Sequence, residues 1–499
     1  MKECILAHDL GTSGNKASLF DDSGCLVDTE VVSYRVYYSR TGWAEEDPED
    51  WWYAVCKATK TVLERNPQVR VSAVAVSGQM MGALALDRQG RPLGKSIIWS
   101  DTRAESECAG IVSALGRDRC LSITGQPPSA SYPLPKIVWQ KNHLPELYRE
   151  ATVYLQAKDF INYRLTGAVR TDPTDAAYTI AYDIGKQDWS DEMLEAAGIP
   201  KKLFPEVVPC ETVIGAVTAE ASAVCGLAEG TPVVEGAGDG SAAHLGGACV
   251  ENGDCYLCLG SSTWLAAQTE NLVFDPEGRM QSEPHVIPGK YIYVGTMQTG
   301  GMAWSWARDN LNTPLRSYND MEKAAATAPA GASGLLFMPY LMGERSPYYD
   351  LRCCAAFLGM RQGMQNGDLY RAVLEGVGMN LNILLKIIEQ DVRVDKIVLI
   401  GGGGKSRLWQ QILSDIFRKE LLIPENTEAG TSIGAAIIAG VGTGIFEGYG
   451  CARHFLRISG SVSPNPGTEQ LYARKQVIFE QAYLALRDIN HQICDLQSL

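Results

Sequence analysis

Two short segments of this sequence, about 250 residues apart, follow the same pattern. Each is an apolar run that ends in a turn of Gly, Ser and Thr and is followed by a second apolar run. The copies are Cys4-Ile-Leu-Ala-His-Asp-Leu-Gly-Thr-Ser with residues 16–20, and Cys255-Tyr-Leu-Cys-Leu-Gly-Ser-Ser-Thr with residues 264–267. This pattern predicts a β-hairpin in each copy and indicates two related lobes. Turn residues at 249–253 place the expected boundary there, which gives domains 1–248 and 249–499.

The rest of the chain alternates between strand-like and helix-like patterns. Short apolar runs occur at residues 72–76, 233–235 and 396–400, and helical periodicity at 371–390 and 432–439. Such alternation predicts an α/β fold. A chain of 499 residues exceeds the usual size of one hydrophobic core, which also favours two domains.

Charge and residue usage exclude several classes of protein. The 44 basic and 58 acidic residues give a net charge of −14, and no basic run could neutralise a nucleic-acid backbone. No run of about 18 apolar residues occurs, so we expect no membrane segment and a cytoplasmic protein. The 14 cysteines are scattered and predict reduced, mostly buried thiols, while the 6 histidines show no metal-ligand spacing. We therefore expect no tightly held transition metal.

The first hairpin turn has the composition of a phosphate-binding loop. Small residues at Gly11, Thr12 and Ser13 allow backbone N–H groups and hydroxyls to approach phosphate oxygens. Asp9, at the end of the first strand, could orient hydrated Mg²⁺, and Lys16 either adds positive charge or is simply solvated. A glycine-rich hairpin also occurs for structural reasons alone, but its repetition at 260–263 favours a function.

A run of four glycines at 401–404 follows the strand at 396–400. The phosphate-binding P-loop pattern would need Gly at Leu399, and the dinucleotide pattern would need Gly at Ser406 or Arg407. Failure of the second pattern weakens a dinucleotide-dependent oxidoreductase as an alternative. The run predicts either a flat surface for a nucleobase or ribose, or a tight turn into a helix that begins near 406–409.

Asp239 is flanked by Gly238 and Gly240 where a strand is expected to lead into a helix. The sequence leaves two interpretations open, a helix N-cap or a carboxylate that accepts a substrate proton. Polar and aromatic residues follow two other strands, Gln79-Met80-Met81 and Trp99 with Asp101. These groups suit a polyhydroxylated ligand, although a tryptophan is often a core residue.

Together these segments resemble the FGGY carbohydrate kinases, and among them the pentulose kinases. The resemblance spans nearly the whole chain and rests on a series of ordered motifs, which are Asp9-Leu-Gly-Thr-Ser, Gly42-Trp-Ala-Glu-x-Asp-Pro-x-x-Trp-Trp, Ser77-Gly-Gln-Met, Trp99-x-Asp-x-Arg, Pro339-Tyr-Leu-x-Gly-Glu-Arg-Ser-Pro, Arg371-Ala-Val-Leu-Glu-Gly, the glycine run and Thr431-Ser-x-Gly-Ala-Ala.

The resemblance implies two ribonuclease-H-like domains of the actin and hexokinase type, with the active site in the cleft between them. It implies ATP and Mg²⁺ as cofactors, Asp239 as general base, and Asp9 with Asp239 on the metal. The residues expected at the nucleotide are Gly11, Thr12, Ser13, Lys16, Gly260, Ser261, Ser262, Gly301, Gly402, Gly403 and Lys405. The residues expected at the sugar are Gln79, Met80, Met81, Trp99, Asp101 and Asp239.

Two positions depart from the pentulose-kinase pattern. Met81 stands where a histidine is typical, and Gly240 where an asparagine is typical. The implied reaction is phosphorylation of a ketose at a terminal hydroxyl, with D-xylulose to D-xylulose 5-phosphate as the first choice and ribulose, gluconate, erythritol or another polyol as alternatives. A non-catalytic actin-like ATP-binding protein is the alternative from another class, and a homodimer is left open.

Overall fold

The structure is a computed structural model that describes residues 2–311, 317–425 and 430–497. Its internal contacts divide the chain into two units. The first comprises Met1–Val250, Glu270–Ile292 and Ala429–Leu456, and the second comprises Glu251–Thr269, Tyr293–Glu428 and Arg457–Leu499. The division at 248/249 stays a prediction about domains, and the contact units differ from it because two later segments return to the first unit.

Strands and helices alternate along the chain, which confirms the predicted α/β class. The strands are β1 (Lys2–Gly11), β2 (Gly14–Asp21), β3 (Leu26–Ser33), β4 (Val36–Tyr37), β5 (Glu45–Glu46), β6 (Val69–Gly78), β7 (Leu84–Leu86), β8 (Ser96–Ile97), β9 (Val153–Leu155), β10 (Arg170–Thr171), β11 (Tyr182–Asp183), β12 (Asp188–Trp189), β13 (Glu206–Val207), β14 (Val213–Ala216), β15 (Pro232–Gly238), β16 (Cys255–Leu259), β17 (Thr263–Thr269), β18 (Gln281–Pro284), β19 (Tyr291–Met297), β20 (Leu336–Met338), β21 (Ala356–Leu358), β22 (Lys396–Ile400), β23 (Glu420–Pro424) and β24 (Ile458–Val462).

The helices are α1 (Pro48–Arg65), α2 (Glu105–Leu115), α3 (Arg117–Thr124), α4 (Pro133–His143), α5 (Pro145–Glu150), α6 (Ala157–Thr166), α7 (Pro173–Ala177), α8 (Asp191–Ala197), α9 (Ala219–Cys225), α10 (Asp239–Gly246), α11 (Gly301–Asn310), α12 (Tyr318–Thr327), α13 (Asn366–Ile388), α14 (Arg407–Phe417), α15 (Gly430–Gly442), α16 (Ala452–Phe455) and α17 (Glu469–Gln497). None of those in the described ranges is long and apolar enough to cross a membrane.

A mixed sheet in the order β14-β15-β6-β1-β2-β3 forms the centre of the first unit. Strands β1 and β2 form the predicted antiparallel hairpin. On its other side, β1 pairs in parallel with β6. Strand β15 pairs in parallel with the other edge of β6. The carboxyl ends of β1, β6 and β15 therefore lie at one edge of the sheet. Asp9 lies near the end of β1, and Gln79 and Asp239 directly follow β6 and β15.

The second unit repeats this arrangement. Its strands follow the order β19-β17-β16-β22-β23-β24, with β16 and β17 as an antiparallel hairpin and β22 parallel to β16. A hairpin beside a parallel strand thus occurs in both units, which confirms the predicted internal repeat. The predicted long helix at 371–390 is present in this unit as α13, and the predicted small-residue helix at 432–439 is present in the first unit as α15.

Helix α15 packs closely against α10, the helix that begins at Asp239. A Cβ atom at Gly434 would lie 1.9 Å from the carbonyl oxygen of Ala242, and one at Gly246 would lie 1.9 Å from that of Gly430. Only glycine permits such an approach, because any side chain would overlap the opposite backbone. The small residues of α15 therefore fix the position of α10 within the first unit.

Candidate active site

Asp239 is the first residue of α10, and Gly238 occupies the N-cap position. The helix-cap interpretation of Asp239 is therefore wrong, because the carboxylate lies one residue inside the helix. Its Oδ1 accepts a 2.7 Å hydrogen bond from the N–H of Gly240, and a Cβ atom at Gly240 would meet nothing within 4 Å. Burial raises the pKa of the half-buried Asp239 to about 7, and the charge of Asp9 adds to the shift. The carboxylate is suited to accept a proton near neutral pH.

Asp9 lies near the end of β1, directly opposite Lys16 on β2. The Lys16 Nζ is 3.4 Å from the Asp9 Oδ2. Burial raises the pKa of Asp9, and the charge of Lys16 opposes this shift. Two carboxyl groups, Asp9 and Asp239, thus interact electrostatically at one edge of the sheet, and oxygen ligands of this kind suit Mg²⁺.

The β1–β2 turn carries the first group of predicted phosphate ligands. Gly11 and Thr12 are half-buried, and Ser13 is exposed. The indole Nε1 of Trp99 donates a 2.9 Å hydrogen bond to the hydroxyl oxygen of Thr12, and 43% of the Trp99 surface is exposed. Trp99 is therefore not a core residue, and a predicted sugar residue directly contacts a predicted phosphate residue.

Gln79 and Met80 lie between the end of β1 and the start of α10. The Gln79 N–H donates to the carbonyl of Leu10 at 2.8 Å, which ties its backbone to β1. Met80 packs against Gly238, where an added Cβ would lie 2.5 Å from the Met80 Cε. Both residues are therefore adjacent to the segment that carries Asp239.

Glu46 is a buried carboxyl that sequence reasoning missed. Its Oε2 accepts 2.6 Å hydrogen bonds from the Gln79 Nε2 and the Trp51 Nε1, while its Oε1 has no hydrogen-bond partner in the part of the chain that the structure describes. Burial raises the pKa of Glu46 to about 7, although both hydrogen bonds oppose the shift. Its place in the acidic and aromatic motif at 42–52 was the available signal.

Asp101 is fully buried in a network of the first unit. Its Oδ2 accepts hydrogen bonds from the N–H of Ala44 at 2.6 Å and from the Arg103 Nη2 at 2.7 Å. Arg103 also pairs with Glu45 at 2.8 Å and lies over the ring of Trp43. The carboxylate is thus engaged by protein groups, and its predicted contact with a sugar stays a prediction.

A second buried cluster, which the sequence reasoning also missed, surrounds Lys158. The Lys158 Nζ lies 2.6 Å from Asp159, 3.1 Å from Asp172, 3.5 Å from Asp175 and 2.5 Å from Glu235, and all five side chains are buried. Burial lowers the pKa of Lys158, but the surrounding carboxylates outweigh it and raise the pKa well above its usual value. Because Glu235 lies on β15, the lysine ties α6 and α7 to the strand that leads to Asp239.

The same cluster reaches the backbone beside Asp239. The Gly238 N–H donates a 2.9 Å hydrogen bond to the hydroxyl of Thr174, which donates in turn to Asp172 at 2.5 Å. Burial raises the pKa of Asp175 well above its usual range, and the charge of Asp239 contributes to that shift. The cluster therefore holds the backbone that precedes Asp239, and the charge of Asp239 in turn affects Asp175.

Glu283 is a further buried carboxyl near α10. Its Oε1 accepts a 3.4 Å hydrogen bond from the hydroxyl of Ser241, and Tyr178 also hydrogen-bonds to the carboxyl group. Burial raises the pKa of Glu283 to about 7, and the charge of Asp239 adds to the shift. No local pattern around residue 283 distinguished it from a solvated glutamate.

Predicted nucleotide residues meet at one hairpin turn of the second unit. The turn between β16 and β17 contains Gly260, Ser261 and Ser262, and the N–H of Gly301 donates to the carbonyl of Gly260 at 2.7 Å. A Cβ atom at Gly301 would lie 2.6 Å from that carbonyl oxygen. The first residue of α11 thus contacts the hairpin, and glycine is required for the approach.

Packing explains three of the four glycines at 401–404. Gly401 adopts a φ of 90°, an added Cβ at Gly403 would lie 2.6 Å from the Leu259 Cγ, and one at Gly404 would lie 3.2 Å from the Leu399 Cγ. Only at Gly402 would a Cβ meet nothing within 4 Å. A ligand surface here therefore depends on Gly402 and the exposed Lys405, rather than on the length of the run. The following helix begins at residue 407, as predicted, and its N-cap Ser406 accepts a 3.2 Å hydrogen bond from the N–H of Trp409.

Comparisons with known proteins identify the family of this chain. Residues 4–246 match the N-terminal domain of the FGGY family of carbohydrate kinases, and residues 255–443 match its C-terminal domain. The chain is 33% identical to a xylulose kinase of Escherichia coli over 86% of this chain and 88% of the relative. It is 29% identical to a xylulose kinase of Bacillus subtilis over 97% and 98% of the two chains. The crystal structure of a gluconate kinase from Lactobacillus acidophilus superposes with a TM-score of 0.93 at 26% identity, covering 97% of this chain and 98% of that one. The chain belongs to the FGGY family of carbohydrate kinases and is an ATP-dependent sugar kinase.

Proposed function

We propose that this kinase transfers the γ-phosphoryl group of MgATP to a terminal hydroxyl of a ketose, with D-xylulose as the preferred acceptor. The observation that carries the proposal is Asp239. Its carboxylate is half-buried at the start of α10, beside an open position at Gly240, and has a pKa of about 7. The D-xylulose assignment rests on the similarity to xylulose kinases.

Asp239 acts as the general base in this proposal. A carboxylate with a pKa near the working pH is half in its basic form and still has enough affinity to hold a proton. It accepts the proton from the acceptor hydroxyl while that oxygen attacks the γ-phosphorus atom. The N–H of Gly240, which donates to the Asp239 Oδ1, keeps the carboxylate in one orientation.

The phosphate groups are assigned to the two hairpin turns. Backbone N–H groups and hydroxyls of Gly11, Thr12 and Ser13, with the positive charge of Lys16, hold phosphate oxygens in the first unit. In the second unit we assign the same role to Gly260, Ser261, Ser262 and Gly301, and the edge of the adenosine to Gly402, Gly403 and Lys405. Because these contacts are made by small or flexible groups, most of the catalysis consists of positioning and charge stabilisation.

The carboxylates of Asp9 and Asp239 fit a hydrated Mg²⁺. Burial raises the pKa of Asp239 and the negative charge of Asp9 adds to the shift, and hard oxygen ligands are the ones that Mg²⁺ prefers. When bound, Mg²⁺ neutralises charge on the phosphate oxygens. The chain itself holds the two carboxylates at one edge of the sheet, and the positive charge of Lys16 partly offsets the negative charge of Asp9.

The acceptor side is assigned to Gln79, Met80, Met81, Trp99 and Asp101. Trp99 is 43% exposed and can offer its ring to a sugar, while the buried Gln79 Oε1 has no hydrogen-bond partner among the described residues. Asp101 acts indirectly, because its carboxylate holds Arg103 and the backbone of Ala44 through hydrogen bonds. Gluconate is the second candidate acceptor, because a gluconate kinase shares the fold and because Gly240 leaves space beside the base.

A coupled kinase assay tests this assignment across D-xylulose, D-ribulose, gluconate and erythritol, with the product identified by mass spectrometry. We expect the highest kcat/KM with D-xylulose. A higher kcat/KM with gluconate would make gluconate the preferred acceptor and would leave the proposed kinase reaction unchanged. ATP hydrolysis that is independent of every acceptor, with no phosphorylated product, would contradict the proposal. The proposed compartment of this activity is the cytoplasm.

A further inference from the structure

Lys136 is a buried lysine on α4. In the described part of the chain, the hydrogen-bond partners of its ammonium group are all backbone carbonyls. Its Nζ donates to the carbonyl oxygens of Met81 at 2.8 Å, Ile98 at 2.8 Å and Ser131 at 2.5 Å. The residue is 0% exposed. Burying a charged group is costly unless its hydrogen bonds are satisfied, so this arrangement requires a reason.

Two of the three carbonyls belong to segments of the proposed acceptor pocket. Met81 ends the Gln79-Met80-Met81 motif, and Ile98 immediately precedes Trp99. Ser131 lies in the turn before α4. A β-bridge between Ala83 and Ile97 brings the first two segments side by side, and Lys136 joins them to the third.

Met81 is the residue that most needs external support. It adopts a φ of 69°, which side chains other than glycine, asparagine and aspartate rarely adopt. Its N–H donates a 2.5 Å hydrogen bond to the Gln156 Oε1, and its carbonyl accepts from Lys136. The peptide groups on both sides of this strained residue are therefore fixed by buried side chains. Strained residues persist where the surrounding structure determines them in this way, and they are concentrated at functional sites.

A lysine matches this task chemically. An ammonium group has three N–H donors that diverge from one atom, and it has no acceptor. Three carbonyl oxygens around one Nζ use all of these donors. A neutral amine would offer only two donors and direct its lone pair at a carbonyl, and a planar guanidinium could not direct its donors from a single point. Burial lowers the pKa of Lys136 to about 7, the negative charge of Asp101 opposes this shift, and the charge of Arg103 adds to it.

We propose that Lys136 is a positioning residue of the acceptor pocket, which holds Met81 and the backbone before Trp99 in the geometry that binds the sugar. This inference rests on the proposed function for the location of the pocket. It differs from a purely structural role of Lys136, which would lower the stability of the unit without a selective effect on sugar binding.

The first test compares Lys136→Met with Lys141→Met in the full-length enzyme. Lys141 lies on the same helix and also donates to a backbone carbonyl, that of Gly198 at 2.7 Å, which is outside the proposed pocket. We expect Lys136→Met to raise KM for the sugar at least about tenfold, because hydrogen bonds from a charged donor are lost at strained backbone. KM for ATP should stay within about twofold of the wild type, as should all constants of Lys141→Met. Equal increases in both KM values, or an unchanged KM for the sugar, would overturn the proposal.

A second measurement does not depend on any sugar. Hydrogen exchange of the unliganded proteins should be faster in peptides that cover residues 79–84 and 97–101 of Lys136→Met than in the wild type and in Lys141→Met. Exchange that is unchanged there, or that increases uniformly over the unit, would also overturn the proposal. If the wild type phosphorylates no acceptor, the proposed function fails while the exchange result still decides the role of Lys136.

Lys136→Arg covers the outcome in which Lys136→Met does not fold. It keeps the charge but cannot present three donors from one point, so KM for the sugar should again rise selectively, by about threefold to tenfold. Wild-type KM for the sugar in Lys136→Arg, with unchanged exchange at residues 79–84, would contradict the proposal.

Discussion

The hydroxyl oxygen of Thr174 accepts a 2.9 Å hydrogen bond from the backbone N–H of Gly238, the residue that precedes Asp239. The same hydroxyl donates to Asp172, which lies 3.1 Å from the ammonium of Lys158. The backbone at the proposed base is therefore fixed by a buried ionic cluster. This relationship carries the first two predictions.

Thr174→Val should reduce catalysis more than substrate binding. Valine has a similar shape but leaves the buried N–H of Gly238 without an acceptor, at a cost of about 1–3 kcal/mol. We expect kcat to fall about tenfold with KM for ATP unchanged, measured by steady-state kinetics. Thr174→Ser keeps the hydroxyl and should retain most of the activity. Equal kcat values for the Val and Ser variants would show that the hydrogen bond has no role in placing Asp239.

Lys158→Met should destabilise the first unit strongly. Removal of the ammonium leaves Asp159, Asp172, Asp175 and Glu235 buried without their counter-charge, and breaking a buried ion pair in this way costs about 3–5 kcal/mol. Urea denaturation measures the free energy of unfolding. Lys201→Met is the control, because Lys201 and Asp188 are both exposed and form a 2.8 Å salt bridge of the kind that contributes about 0–1 kcal/mol. A similar small loss in both variants would contradict this account of the cluster.

Asp239→Asn should abolish most phosphoryl transfer while nucleotide binding persists. The amide cannot accept the proton of the attacking hydroxyl, and general-base catalysis contributes about 10²–10⁴-fold. Turnover is measured in the coupled assay and nucleotide affinity by titration calorimetry. Asp22→Asn, at an exposed turn after β2, is the control. A near-normal kcat in Asp239→Asn would show that Asp239 is not the general base.

The activity should rise with pH through about 7. Asp239 has a raised pKa and works as a base only when it is ionised, so kcat/KM should fall on the acid side of pH 7 and reach a plateau above it. The charge of Asp9 contributes to the raised pKa, so Asp9→Asn should move the acid limb to lower pH. The measurement is kcat/KM for the sugar between pH 5 and 9 in both proteins. A limb that moves to higher pH in Asp9→Asn would contradict the assigned coupling.

Ala substitutions at Gly402 and Gly403 should separate ligand approach from packing. Gly403→Ala forces a Cβ against Leu259 and should lower the free energy of unfolding by about 1–3 kcal/mol. Gly402→Ala meets no protein atom, so stability should change by less than about 0.5 kcal/mol while KM for ATP rises. Thermal unfolding and steady-state kinetics distinguish the two effects. An unchanged KM for ATP in Gly402→Ala would exclude the glycine run from the nucleotide site.

The features that were predictable are those with a local signature. The apolar runs before Asp9 and Gly260 specified both hairpins, because strand periodicity and turn residues are encoded within a few positions. The Ser406 cap and the helix that follows it were predictable for the same reason.

The missed residues are charged side chains whose surroundings come from distant parts of the chain. Lys136, Lys158 and Glu283 look like solvated residues in the sequence, because such side chains are mostly exposed. Only the pairing of β15 with β6 and the packing of α6 and α7 bring Lys158 to Glu235. The four glycines at 401–404 suggested a larger ligand surface than the structure supports, because packing against Leu259 and Leu399 explains three of them.

In the proposed site, where phosphate binds Thr12 and the sugar lies on Trp99, the hydrogen bond between these two residues couples the two binding events. A phosphate that binds the Thr12 hydroxyl changes the hydrogen-bond partner of the Trp99 ring. Binding of one substrate then changes the affinity for the other. Because coupling free energy is reciprocal, the factor by which ATP alters sugar affinity equals the factor by which the sugar alters ATP affinity. A single indole N–H thus links the affinity for the phosphoryl donor to the affinity for the acceptor.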